Sequence, residues 1–197
     1  MKRLISFIPI YLLLIAANCS GAYTPSKKIL ESNKMNFPDL EKRAHASFSY
    51  QLSSLFTDAY SDHFVLKSNA TTKSINDLNI FFSIETFDRN DIETIRFLNE
   101  TDQSDLELIH DYYIGMRQSS LAYNTLSLRK KLKGKSTFPG YIQHVIGKNK
   151  YETKSMIYMI STVEIDGAYH VFQLIGPKDN MGYFHDDFLK ILNSIEK

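Results

Sequence analysis

The strongest constraint on the fold is a pair of strand-like segments joined by Asp166-Gly167. Residues 155–165 and 169–175 are rich in β-branched and aromatic side chains, and each has the length of a buried strand. The two rows of the alternation in the first segment are Ile157, Met159, Ser161 and Val163, and Met156, Tyr158, Ile160 and Thr162. Asp-Gly tolerates the positive φ angles of a tight hairpin, and Gly176-Pro177 ends the second strand. The sequence therefore predicts an antiparallel hairpin.

Two amphipathic helices are predicted around this hairpin. The closing helix carries apolar residues at helical spacing: Phe184, Phe188, Ile191, Leu192 and Ile195. The other covers residues 104–122, where Ser104 and Glu107 fit a capping box that satisfies free backbone N–H groups. Its apolar face is formed by Leu106, Ile109, Tyr113 and Met116. Residues 91–98 fit a helix or a strand.

Further strands precede these helices. They are predicted at residues 44–52, 64–67, 78–87 and 141–146, with a polar turn at 70–77. The order is strands, a helix, antiparallel strands and a closing helix. This order predicts an α+β fold in which helices pack on an antiparallel sheet.

The C-terminal segment, residues 156–197, resembles the PsbP-like family. The resemblance rests on the long strand, the Asp-Gly hairpin, the second strand and a helix that contains Phe188, Ile191, Leu192, Ser194 and Ile195. Mog-type Ran-binding proteins and DcrB-type bacterial envelope lipoproteins share that family's fold. The resemblance implies an α-β-α sandwich and a non-enzymatic role in binding or assembly. It transfers no functional residue to this chain.

The N-terminus has the pattern of an export signal. Lys2 and Arg3 precede residues 4–17, which are uncharged and mostly aliphatic. Fourteen residues are too few to cross a bilayer, which needs about 20 in a helix. Residues 1–18 are therefore predicted to be a signal peptide.

Cys19, the only cysteine, follows this segment directly and resembles a lipobox cysteine that receives acyl chains. The match is imperfect, because Ala16 and Asn18 stand where Leu and a small residue are usual. The alternative is cleavage after Ala22, which would remove the cysteine. The favoured prediction is a lipoprotein held in the membrane by its N-terminal acyl chains, with Cys19 as the attachment site.

Domain boundaries follow from composition. Residues 19–43 contain two prolines, several polar residues and few apolar ones, so they are predicted to be a flexible tether. Residues 44–197 then form one α+β domain, in keeping with 43% hydrophobic and 23% charged residues in 197. The net charge of +1 gives no reason to expect nucleic-acid binding.

Charge is unevenly distributed along the domain. Residues 85–111 contain nine acidic and two basic residues, whereas residues 129–154 contain eight basic and one acidic. The densest basic cluster is Arg129, Lys130, Lys131, Lys133 and Lys135. Such a cluster can contact an anionic surface such as lipid head groups. Two solvated surfaces that attract each other are the alternative interpretation.

Several histidines are candidates for a metal site or for acid–base catalysis. His185-Asp186-Asp187 contains metal-ligand types, but consecutive helical residues point in different directions, so no metal is predicted. His110-Asp111 with Glu107 could act in acid–base chemistry, and His144 and His170 could meet if their strands were neighbours. No motif of a hydrolase, metalloprotease or phosphate-binding loop occurs. No catalytic residue and no cofactor is predicted.

These features favour an exported lipoprotein that acts as a non-enzymatic binding or assembly module in the bacterial cell envelope, facing the periplasm. Its expected partners are the membrane and an envelope protein. The alternatives are an unrecognised envelope hydrolase or metal-dependent enzyme, or a carrier of small molecules or lipids with an apolar cavity. Histidines gathered in one pocket would favour an enzyme, and scattered histidines would favour the binding module.

Overall fold

A computed structural model describes residues 25–34, 36–59, 70–99, 102–132, 138–148 and 153–197. The predicted hairpin lies at the centre of the molecule, with the long strands Met156–Ile165 and Ala168–Pro177 paired antiparallel along their whole length. Asp166 and Gly167 turn between them with φ angles of 53° and 76°. The hairpin prediction is confirmed.

An eight-stranded antiparallel sheet is built around this hairpin. Numbered in chain order, the strands of the molecule are β1 Leu40–His45, β2 Phe48–Ser53, β3 Thr57–Asp58, β4 Thr71–Ile75, β5 Ile80–Phe87, β6 Tyr123–Leu126, β7 Lys130–Lys131, β8 Gly140–Lys148, β9 Met156–Ile165 and β10 Ala168–Pro177. The order in the sheet is β3-β4-β5-β10-β9-β8-β6, and β7 also pairs with β8. β1 and β2 form a separate hairpin.

Helices cover both faces of the sheet. They are α1 Pro25–Ser32, α2 Arg89–Asn99, α3 Asp105–Ser119, α4 Lys178–Met181 and α5 His185–Asn193, with a short 3-10 helix at Asn76–Leu78. In the described parts of the chain, no helix is both long and apolar enough to span a membrane.

Two apolar cores, one on each face of the sheet, hold the layers together. α2 and α3 pack on one face through residues such as Ile92, Ile109 and Val171. On the other face, α1, α5 and the β1–β2 hairpin pack on side chains such as Phe172. The molecule is therefore α+β with an antiparallel sheet between two outer layers, as predicted.

The start of α3 follows the sequence prediction. Ser104 is the N-cap, and its hydroxyl oxygen accepts the backbone N–H of Glu107. The same hydroxyl donates to the Glu107 carboxylate at 3.1 Å. The helix ends at Ser119, three residues before its predicted end.

Three local predictions were wrong or incomplete. The stretch predicted as one strand at 44–52 contains the end of β1, a turn and most of β2, because Ala46 adopts a φ of 47° and His45 pairs with Phe48. The polar stretch 70–77 contains β4, whose backbone pairs with β5 despite its Thr and Ser side chains. The ambiguous segment 91–98 lies in α2. The short strand predicted at 64–67 lies outside the described residues.

The described part of the predicted tether is folded onto the domain, which corrects the boundary at residue 44. Leu30 of α1 and Phe37 are buried in the core beneath α5. The Phe37 ring stacks on Phe184 at 4.4 Å, and the Phe37 N–H donates to the buried Asp187 carboxylate. Two large apolar anchors outweigh the low apolar density of this segment. The signal segment 1–18 and Cys19 lie outside the described residues.

Candidate functional site

One edge of the sheet carries exposed apolar side chains. β6 is the last strand in the sheet order, and all four of its residues are exposed. Tyr123 is 76% exposed, Leu126 43% and Leu128, just after the strand, 84%. An edge strand with unpaired backbone groups and apolar side chains is a template for association with another chain.

The chain forms a β-bulge between β6 and β7. Leu126 pairs with Val145 and Lys130 pairs with Ile142. Lys130 follows Leu126 by four positions, whereas Ile142 and Val145 are three positions apart on β8, so the segment between β6 and β7 has one extra residue. Pairing continues through the bulge, because the Ser127 N–H donates to the His144 carbonyl at 2.9 Å. The extra residue places Leu128 and Arg129 in the bulge. We call the surface formed by residues 123–131 the edge surface.

The side chains of the edge surface project from both faces of the sheet. Leu126 lies opposite Val145, which belongs to the core beneath α3. Tyr123 lies opposite Lys148, two residues beyond Ile146, which packs on the other core. Because side chains alternate between faces along a strand, Tyr123 and Leu126 project on opposite sides.

The basic cluster divides into two groups. The Arg129 guanidinium lies 2.9 Å from the Asp111 carboxylate and 3.9 Å from that of Glu107, and its Cζ lies 5.0 Å from the centre of the Tyr141 ring. Lys130 and Lys131 are exposed and have no acidic partner among the described residues. The other two lysines of the predicted cluster, Lys133 and Lys135, lie outside the described residues.

The contact around Arg129 joins the acidic and basic halves of the domain. The Tyr141 hydroxyl donates to Glu107 at 3.1 Å, and this hydrogen bond is the main reason that the pKa of Glu107 is lowered. Burial, followed by the nearby Glu107, raises the pKa of Tyr141. His110-Asp111 and Glu107 therefore do not form one catalytic group, since the two carboxylates face Arg129 on the outside of α3.

His110 points inward and supports the bulge. Its Nε2 lies 3.2 Å from Gln143 Oε1 and its Nδ1 lies 3.0 Å from the Thr162 hydroxyl. The Gln143 amide donates to the Ser127 carbonyl at 2.6 Å, so Gln143 Oε1 must accept from His110. This assigns the neutral form of His110 with the hydrogen on Nε2. Burial lowers the pKa of His110 to about 4, which agrees with that neutral form.

A second buried polar network links the sheet to α3. The Tyr113 hydroxyl donates to the Glu85 carboxylate and accepts from the Gln173 amide. Arg117 donates to the Gln173 carbonyl at 3.0 Å and lies over the Tyr113 ring. Burial strongly raises the pKa of Tyr113. These groups bond to one another inside the core, which indicates a structural role.

The other four described histidines lie on the opposite face of the sheet in two separate places. His170 shares the Thr86 hydroxyl with His45, whereas His144 contacts His185 with ring centres 5.0 Å apart. His144 and His170 do not meet, because β9 lies between their strands.

The predicted group His185-Asp186-Asp187 at the start of α5 does not form a metal site. Asp187 accepts from the Phe37 N–H and from Lys190, so it is committed to the fold. In the described parts of the chain, no group of three or more His, Cys, Asp or Glu side chains could hold a metal ion.

Aromatic side chains fill the cores. Phe37 contacts Phe56 and Phe184, and Tyr50 stacks on Phe82 at 5.6 Å. Of the grooves on the described surface, two are open and lined by mixed polar and apolar residues. One of about 600 Å³ runs beside α3, and one of about 850 Å³ lies near Asp166 and the C-terminus.

Comparisons with known proteins give structural matches only. No protein-family model matches the chain, and no match was found among curated proteins. Among solved structures, the Ran-binding protein Mog1p of Saccharomyces cerevisiae is similar with a TM-score of 0.54 and 7% identity, over 80% of this chain and 96% of that chain.

Two further solved structures are similar at lower scores. Cyanobacterial PsbP of Synechocystis has a TM-score of 0.48 and 9% identity, over 80% of this chain and 91% of that chain. LpqN, involved in cell envelope biogenesis of Mycobacterium tuberculosis, has a TM-score of 0.42 and 12% identity, over 88% and 96%. The predicted PsbP/Mog-like fold is confirmed by the likeness to Mog1p. At 7% identity, that likeness shows the fold alone.

Sequence reasoning missed the apolar part of the edge surface. The predicted helix 104–122 was expected to be followed by the basic cluster, and residues 123–128 were given no role. The signal was present as Tyr123, Leu126 and Leu128 between polar residues. Only the strand order shows that this segment is an edge with exposed side chains.

Proposed function

We propose that this chain is an exported, membrane-anchored and non-enzymatic module that binds a protein partner in the bacterial cell envelope. The observation that carries the binding role is the edge surface, where Tyr123, Leu126 and Leu128 are exposed beside lysines that have no acidic partner among the described residues. Exposed apolar side chains that cluster at one place on a soluble domain are typical of interaction sites.

The arrangement of the histidines supports a binding role over an enzymatic one. The five described histidines occupy separate places on two faces of the sheet, and His110 bonds to neutral partners. A catalytic acid or base needs to reach a substrate, and His110 is fully buried. Among the described residues, Phe37 packs on Phe56 and Tyr50 on Phe82 within the core, where they fill space that a lipid would need.

Export and anchoring rest on the N-terminal sequence. Lys2, Arg3 and the uncharged residues 4–17 form the signal, and Cys19 is the attachment site for acyl chains. Each buried CH₂ group contributes about 0.8 kcal/mol to membrane binding, so two or three chains hold the protein firmly. Because Pro25 already lies in α1, at most residues 20–24 separate the folded domain from Cys19. Even fully extended, they span about 20 Å, so the domain stays close to the lipid surface.

Site-specific photocrosslinking in intact cells tests the binding role. Benzoylphenylalanine replaces Tyr123 on the edge surface, and in a matched control it replaces Tyr183, which is 63% exposed between α4 and α5. We expect one reproducible crosslinked protein from position 123 and none from position 183. No crosslinked protein at either position, under conditions that capture known envelope complexes, would contradict the proposal.

A further inference from the structure

We infer that the edge surface binds an extended, acidic segment of the partner protein, which adds to the sheet as a further strand. This inference rests on the proposed function and names the chemistry of its binding site. The first support is the backbone. The Ser127 N–H bonds to β8, and hydrogen bonds alternate along an antiparallel strand. Asn124 and Leu126 therefore direct their backbone N–H and C=O groups outward, where an added strand would pair.

The placement of the apolar side chains favours a strand over a lipid surface. Tyr123 and Leu126 project on opposite faces of the sheet, as their partners Lys148 and Val145 show. A flat membrane surface can take up apolar side chains from one face only. An added strand covers the rims of both faces at once, because its own side chains alternate.

The positive charge along this edge favours the binding of an acidic segment. Lys130 and Lys131 of β7 and Lys148 of β8 lie along this edge without an acidic partner in the described parts of the chain. Residues 123–131 contain no acidic residue, so a second copy of the chain paired at the same edge would add further lysines and no carboxylate to pair with them. Glu or Asp side chains on the added strand would instead pair with these lysines. Arg129 contributes little to this selection, because Asp111 already neutralises it.

Two synthetic peptides and one vesicle preparation test the inference on the purified mature chain. The peptides are acetyl-(Val-Glu)₄-amide and its counterpart acetyl-(Val-Lys)₄-amide, and the vesicles contain phosphatidylglycerol. We expect the acidic peptide to bind at least about tenfold more tightly than the basic one. We also expect it to slow amide hydrogen exchange at Asn124 and Leu126 by at least about tenfold, since these N–H groups become hydrogen-bonded.

Charge-reversal variants provide the matched comparison. Lys130→Glu with Lys131→Glu should invert the preference between the two peptides. Lys28→Glu with Lys178→Glu, at exposed positions on other elements, should leave it unchanged. A charge-only contact with any part of the surface would give the same loss in both double variants, which would overturn the inference.

The outcomes separate this inference from the proposed function. Equal binding of both peptides, protection at residues other than 123–131, or binding to vesicles without binding to the acidic peptide would each overturn strand addition. If a partner is captured in cells through position 123 while the peptides fail, the chain is still a binding module and only the edge-strand mode is wrong. If no partner is captured but the acidic peptide protects Leu126, strand addition holds and the proposed cellular role fails.

Discussion

Gln143 donates its side-chain amide to the Ser127 carbonyl at 2.6 Å and thereby ties the bulge of the edge surface to the buried core. The other end of the Gln143 amide accepts from His110, which in turn accepts from Thr162. A surface segment with few contacts of its own is thus held by a chain of hydrogen bonds that ends between α3 and β9. The shape of the edge surface therefore depends on the hydrogen bond that His110 Nε2 donates to Gln143.

His110 should make the free energy of unfolding depend on pH. Its pKa is about 4 in the folded chain, because burial disfavours the charged ring, against 6.5 when it is unfolded. Between these values the unfolded chain binds more protons, so stability is fully present above pH 6.5 and falls as the pH drops towards 4. His110→Gln should reduce the slope of stability against pH by about 1.4 kcal/mol per pH unit.

The measurement is urea unfolding of both proteins at several pH values between 4 and 8. At pH 8 both should show a single cooperative transition, which controls for loss of structure in the variant. An unchanged slope below pH 6.5 would mean that folding does not lower the pKa of His110 and would contradict this prediction.

Tyr113→Phe should destabilise the domain by about 1–3 kcal/mol. The hydroxyl serves both Glu85 and Gln173 in a buried network, and its removal leaves those groups short of a partner. Tyr112→Phe, one residue earlier on the less buried side of α3, is the control and should change stability by less than about 0.5 kcal/mol. The measurement is a comparison of the urea unfolding midpoints of the two variants. Equal midpoints would show that the network contributes nothing.

The N-terminal segment should be part of the cooperative fold. Leu30→Ala removes a side chain that is buried in the core, so we expect a loss of about 2–5 kcal/mol. Ile29→Ala changes the neighbouring, exposed residue of α1 and should cost less than about 1 kcal/mol. Thermal unfolding of both variants tests this. A Leu30→Ala variant as stable as the parent would restore the flexible tether expected from composition.

Cys19→Ala should release the protein from membranes. Fractionation of cells should move it from the membrane to the soluble envelope fraction, and labelling with an alkyne fatty acid should be abolished, because the acyl chains have no attachment site. Cys19→Ser serves as a closely matched variant and should behave in the same way. Retention of both variants in the membrane fraction would contradict anchoring through this residue.

The sequence predicted elements wherever local chemistry decides the structure. Asp166-Gly167 and the Ser104 cap act over a few residues, so the hairpin and the start of α3 were predictable. β4 was missed because its pairing with β5, rather than its Thr and Ser side chains, makes it a strand. α1 was missed because Leu30 and Phe37 are buried in the same core as α5, which lies about 150 residues away along the chain.

The basic part of the candidate site could be predicted from the sequence, but its apolar part and its contacts could not. The density of lysines in residues 129–135 is visible in the sequence, but the pairing of Arg129 with Asp111 depends on how α3 lies beside the edge. The exposure of Tyr123 and Leu128 depends on β6 being the last strand of the sheet. Strand order is set by contacts distant in sequence, which local patterns do not encode.

The most direct test of the central claim is crosslinking from position 123 in cells that carry either Leu126→Pro or Leu126→Val. Proline removes the outward N–H of Leu126 without removing a bond to β8, whereas valine keeps that N–H and the apolar side chain. With both variants shown to be folded by their melting temperatures, we predict that the crosslinked partner is lost in Leu126→Pro and retained in Leu126→Val. Equal crosslinking in the two variants would contradict binding by strand addition at this edge.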